Sequence, residues 1–102
     1  MLPTMAEIEA ARRQVALHAW RTPLVRLVPM RSRAFAGDAD VYLKLENLQP
    51  IGAFKIRGAA AVVGALAPGE AAQGLVTASA GNMAQAVAHL ARELGVPCTV
   101  LV

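Results

Sequence analysis

The stretch "GLVTASAGNMAQAVAHLARELGVPCTVLV", residues 74–102, constrains the fold more than any other part of the chain. "GLVTA" (74–78) is a short apolar run with β-branched members, the pattern of a buried strand. "SAGN" (79–82) is a turn of small residues. The helix after it runs to Leu94, with Met83, Val87, Leu90 and Leu94 along one face. Gly95 and then Pro97 stop that helix in the expected order. "CTVLV" (98–102) is a second buried strand by the same pattern.

Upstream, "VYLKLE" (41–46) alternates, with Val41, Leu43 and Leu45 facing one way and Tyr42, Lys44 and Glu46 the other. Residues 47–52 form a turn by composition, and a helix is expected over 54–66, ended by Pro68 and Gly69. Strand, helix, strand, helix, strand at these lengths predicts an α/β fold with a parallel sheet, which needs helices on both faces. No element follows the last strand. Residues 1–102 are therefore expected to be the N-terminal portion of a larger, incomplete domain. Nearer the start, residues 5–19 predict an amphipathic helix capped by Thr4, with Glu7 and Glu9 suiting its positive end. Residues 21–29 read as extended, because Thr22 precedes a proline. Residues 31–40 read as a weak helix or a loop.

Composition narrows the function classes. With 56% apolar and 4% aromatic residues, a core would be built from Ala, Val and Leu, and disorder is not expected. The net charge is +3, with arginines at 12, 13, 21, 26, 31 and 33. No aromatics interleave them and there is no zinc spacing or dense basic run, so nucleic acid is not an expected partner. Cys98 is the single cysteine and reads as a buried, inert thiol. His18 and His89 lie on helices without metal-ligand spacing, so ordinary packing or surface roles and no metal are expected. The longest apolar run (58–67) stops at Pro68, short of the roughly 18 residues of a membrane span. No targeting segment is read at the start, and a soluble cytoplasmic protein is the expectation.

Two positions could carry chemistry. Lys55 stands between Phe54 and Ile56, where a turn becomes a helix. A lysine that condenses with an aldehyde must spend time neutral, yet its ordinary pKa is about 10.4. A shift of three units costs about 4 kcal/mol. The positive end of a helix supplies roughly 0.3 to 1 kcal/mol, so desolvation would have to supply most of the rest. The alternative is a surface lysine whose apolar neighbours pack elsewhere. The second position is the 79–82 turn, where a strand running into a helix leaves backbone N–H groups that attract a carboxylate or phosphate. Gly81 would let a ligand approach closely. Here the alternative is a plain cap, with Ser79 or Asn82 at the helix start and Gln85 completing a capping box.

"KLENLQPIGAFKIRGA" followed by "TASAGNMAQAVA" resembles the threonine and serine dehydratases, pyridoxal-phosphate enzymes of fold type II (tryptophan synthase β-like). "TPLVRL" near the start is similar to that family's N-terminal segment, so the resemblance spans roughly residues 8–102. It implies pyridoxal 5'-phosphate as cofactor, held by Lys55 as a Schiff base, with the same amine shuttling the substrate α-proton. It implies that Asn82 hydrogen-bonds the pyridine 3-oxygen and that Phe54 packs beside the cofactor. Ser79, Ala80 and Gly81 would receive the substrate carboxylate. The implied reaction is β-elimination of threonine or serine to a 2-oxo acid and ammonia, in a homo-oligomer when full length.

Departures from that pattern are Ile51, Ala53 and Met83, where the family often has threonine, serine and histidine. Ala80 stands where related serine racemases carry a second serine, which disfavours a racemase, and Ile56 disfavours the cysteine-synthase branch. The family's glycine-rich phosphate loop has no counterpart within residue 102, so the isolated chain is expected to be inactive. The rival expectation is a small non-catalytic α/β module that binds anions or partners.

Overall fold

The computed structural model describes residues 2–27 and 40–102. The expected weak helix or loop at 31–40 therefore lies outside the described residues except for Asp40.

Helix α1 spans Met5–His18. Thr4 caps it as expected: its hydroxyl accepts from the Glu7 N–H, and the Glu7 carboxylate accepts from the Thr4 N–H at 2.6 Å. This reciprocal pair also draws the Glu7 carboxyl below its usual range, first through the Thr4 backbone donor. No residue of α1 is fully buried, and its inner face (Ala11, Gln14, Val15) is only half covered.

The extended segment after α1 contributes strand β1, Leu24–Arg26, which pairs antiparallel with β2, Tyr42–Lys44. The register sets Leu24 opposite Lys44 and Arg26 opposite Tyr42. The strand expected at 41–46 is thus real but shorter, and it does not join the parallel sheet. Both strands are exposed along their length. The expected polar face of β2 holds at one point: Lys44 Nζ donates to the Thr22 carbonyl, and Glu46 accepts from the Thr22 hydroxyl.

A short 3-10 turn, Glu46–Leu48, and a bend at Gly52 lead into α2, Lys55–Gly64. Gly52 has φ +69°, a region that L side chains rarely adopt. A second 3-10 turn, Ala71–Gln73, precedes β3, Leu75–Ala78. Helix α3 spans Asn82–Leu94 and ends on Gly95 in the left-handed region at φ 67°. Strand β4, Cys98–Leu101, then pairs parallel with β3, Leu75 opposite Cys98 and Ala78 opposite Leu101. Residues 75–101 form the predicted βαβ unit.

The core lies where α2 meets α3 and the end of α1. Ile56, Ala59 and Ala60 interlock with Ala86, Leu90 and Ala19, flanked by Val15, Val63, Met83 and Val87. Alanines dominate because the helices approach closely. Ile56 and Leu90 are the largest side chains fully enclosed.

Two expectations are corrected here. The apolar runs predict buried strands, yet in β3 only Leu75 is buried, Val76 is 70% exposed, and β4 is exposed throughout. Cys98 is likewise an exposed thiol. The reason is common to both. Helix α3 packs against the sheet, while the same apolar strand residues lack cover on the opposite side among the described residues. Among these residues no helix is long and apolar enough to cross a membrane, and no group of three side chains could hold a metal ion.

Candidate active site

Lys55 is the first residue of α2, and Phe54 caps that helix with backbone alone. The neighbours diverge: Ile56 is fully buried in the core, while Phe54 is 58% exposed. Lys55 itself is half-buried, its ammonium 5.1 Å from the centre of the Phe54 ring, within cation–π range. Ion pairs of the described residues join Arg12 to Glu9, Arg26 to Asp40, and Arg57 to Glu46, and His18 and His89 both contact Glu93. Lys55 belongs to none of them.

The 79–82 turn sits at the mouth of α3. Asn82 is the first helical residue and Gly81 is the cap, so neither Ser79 nor Asn82 caps the helix through its side chain. The alternative Asn82–Gln85 capping box is absent: the Gln85 N–H bonds the Gly81 carbonyl instead. Ser79 has a local task, its Oγ accepting from the Gly81 N–H at 3.1 Å. Ala80, Gly81 and Asn82 are exposed, and an added Cβ at Gly81 would meet no atom within 4 Å. With no side-chain cap, the first N–H groups of α3 stay free for an acceptor from outside the helix.

Ile56, next to Lys55, and Met83, next to Asn82, belong to the same core cluster, so packing holds the starts of α2 and α3 together. A groove of about 380 Å³ runs between α2, β3 and α3, lined by Ala59, Val62, Leu75, Thr77 and Met83 among others. Its lining includes neither Lys55 nor Asn82.

Glu46 and Arg57 form a constellation that reading the sequence by strand alternation does not find. Arg57 grips the Glu46 carboxylate with both edges of its fork, Nε to Oε2 at 2.8 Å and Nη2 to Oε1 at 2.9 Å. Thr22 and Gln49, 5% and 4% exposed, also donate to Glu46. Arg57 and Gln49 both donate to the Trp20 carbonyl, and the Trp20 N–H donates to Gln49 Oε1. Arg57, helped by Thr22 and Gln49, holds the Glu46 carboxyl down at about 2 although burial pushes it up. Glu46 in turn raises Arg57 above its ordinary value. The available signal was a single acid, Glu46, close in sequence to two basic residues, Lys55 and Arg57, within "ENLQPIGAFKIR".

The histidines are drawn into a separate contact. His18 Nδ1 lies 2.7 Å from Glu93, and His89 Nε2, buried, lies 3.2 Å from the other oxygen but out of hydrogen-bonding alignment. The His18 contact ties the end of α1 to α3, while that of His89 lies within α3.

Comparison with known proteins defines the class. A family model described as "Pyridoxal-phosphate dependent enzyme" matches residues 15–102, and the chain belongs to that family. Among curated proteins, "L-threonine dehydratase catabolic TdcB" of Staphylococcus aureus (strain N315) is 39% identical over 98 residues, 96% of this chain and 28% of the relative. The same protein of strain USA300 is 37% identical over the same share of both chains. Among solved structures, a threonine deaminase from the organism abbreviated T.th. superimposes with TM-score 0.78 at 39% identity, covering 98% of this chain and 34% of that one. Maize serine racemase gives TM-score 0.78 at 35% identity, covering 94% and 29%. The chain spans less than a third of the curated relatives it matches.

Proposed function

We propose that this chain supplies the lysine-bearing part of an enzyme that deaminates threonine or serine by β-elimination, yielding a 2-oxo acid and ammonia. The observation that carries the reading is the pairing of two helix mouths by one core: Lys55 opens α2, and the exposed 79–82 turn opens α3.

The donor set fits pyridoxal phosphate. Lys55 offers a primary amine outside the ion pairs above, Asn82 an exposed amide, and Gly81 open space beside free N–H groups. Lys55 would hold the cofactor through Nζ, with Phe54 beside it and Asn82 on its ring oxygen. When bound, that group supplies an electron sink for the substrate's α-carbon. The chain's own residues do the rest. The Lys55 amine takes the α-proton, and the β-hydroxyl departs, so that proton and hydroxide leave together as water. Ser79, Ala80 and Gly81 orient the substrate through its carboxylate, and the Ser79–Gly81 bond keeps that loop in shape. Threonine as substrate is supported by the relatives' printed names. The reading also includes a cytoplasmic homo-oligomer for the whole enzyme.

Lys55→Ala in the whole enzyme tests it. The variant is expected to lose the visible absorbance of lysine-bound cofactor and to deaminate at least roughly 10² to 10⁴-fold more slowly, the range of one proton-transferring group. A variant that keeps both the band and the rate would reject the assignment.

A further inference from the structure

Helix α2 begins without the devices that normally fix a helix start. Its cap makes no side-chain hydrogen bond, and its first turn has no acidic residue. Besides the buried Ile56, what anchors that turn is Arg57, two residues after Lys55. Its fork closes on Glu46, eleven positions back, and its Nη2 also reaches the Trp20 carbonyl. The loop so closed contains the Gly52 bend, and the buried Thr22 and Gln49 complete the carboxylate's shell.

We propose that Glu46 and Arg57 are positioning residues for Lys55. The bidentate pair pins the first turn of α2 to the 46–48 turn and to the segment leaving α1, and so fixes where the residue-55 amine leaves the helix. This rests on the catalytic role assigned above to Lys55. The geometry favours positioning over mere bulk stability. The pair joins three separate segments at the one turn that carries the amine, and the helix's own core contacts begin at Ile56. Fraying of this turn moves Lys55 and Arg57 together. The pair also resists acid, because Arg57 keeps Glu46 ionised far below the usual carboxylate range.

The test uses the full-length holoenzyme with Glu46→Gln, Arg57→Gln, the double variant, and Arg57→Lys as a milder change that keeps charge but loses the fork. Two quantities are read: kcat and KM, and hydrogen exchange of the amides at 55–59 against those at 86–94. The expectation is a kcat lower by roughly 10- to 100-fold with KM nearly unchanged, the size of effect that a small misplacement produces. Exchange quickens at 55–59 alone, and the double variant is no worse than the worse single. If the glutamine variants do not fold, Arg57→Lys carries the same comparison. Wild-type kcat in the variants, additive losses, or unchanged exchange at 55–59 would overturn the proposal. A wild-type enzyme with neither cofactor band nor deaminase activity defeats the earlier reading instead, and the exchange experiment then decides alone whether the pair fixes the turn.

Discussion

Glu46 accepts from Arg57 through two nitrogens and from Thr22 and Gln49, in a site where its side chain is only 18% exposed. Such a carboxylate is far easier to ionise in the folded protein than in the unfolded chain. The sign follows directly. Its folded pKa is lowered from 4.5 to about 2, so its contribution is complete above pH 4.5 and is lost as pH falls toward 2. Unfolding measured between pH 5 and 2 is expected to show stability falling with acid, by at most about 1.4 kcal/mol per pH unit from this one group. Glu46→Gln should flatten that part of the curve. A wild-type slope retained in the variant would mean that other carboxylates, such as Glu7, govern the acid response. At this scale the placing of Lys55 at a helix start and of the 79–82 turn between a strand and a helix was legible, because both are local signals. The Glu46–Arg57 pair was not, because its partners Trp20 and Thr22 come from a distant stretch of chain.

Among the elements, α1 and α2 show how close approach decides composition. A Cβ built on Gly64, the last residue of α2, would lie 2.6 Å from the Cβ and Cγ of Gln14 on α1. Replacing glycine by alanine gains at most about 1 kcal/mol of helix propensity, less at a terminal position. Forcing two packed helices apart costs typically about 1 to 3 kcal/mol. The clash wins. Gly64→Ala is expected to lower stability by roughly 1 to 2 kcal/mol, read as a drop in Tm, whereas Gly58→Ala, with nothing within 4 Å, should not. Equal effects at both sites would contradict this helix packing. The helices themselves were readable to within a residue or two from caps, periodicity and the Gly95–Pro97 stop. The pairing of β1 with β2 was not, since a three-residue strand carries too little pattern to name its partner.

Taken whole, the molecule is less compact than its length allows. Its radius of gyration is 16.9 Å, against about 13 Å for a globule of 100 residues. Val76, Leu101 and the apolar groove between α2, β3 and α3 remain open. Exposed apolar surface on this scale marks an interaction face or an aggregation hazard. The 102-residue chain alone is expected to scatter with a radius near 17 Å and to brighten a hydrophobic dye such as ANS. A particle of about 13 Å that leaves the dye dark would mean that the chain covers this surface by itself, as the small-module alternative requires.

The amino-acid order by itself determined the βαβ unit at the C-terminal end, the cap of α1 and the family, because these depend on neighbours within a few residues and on two contiguous motifs. Tertiary structure alone decided which strands stay uncovered, that Cys98 is exposed, and that Arg57 meets Glu46 beside Lys55. Burial and ion pairing are set by which distant surfaces come to lie against each other, and periodicity along a chain marks an apolar face without naming what covers it.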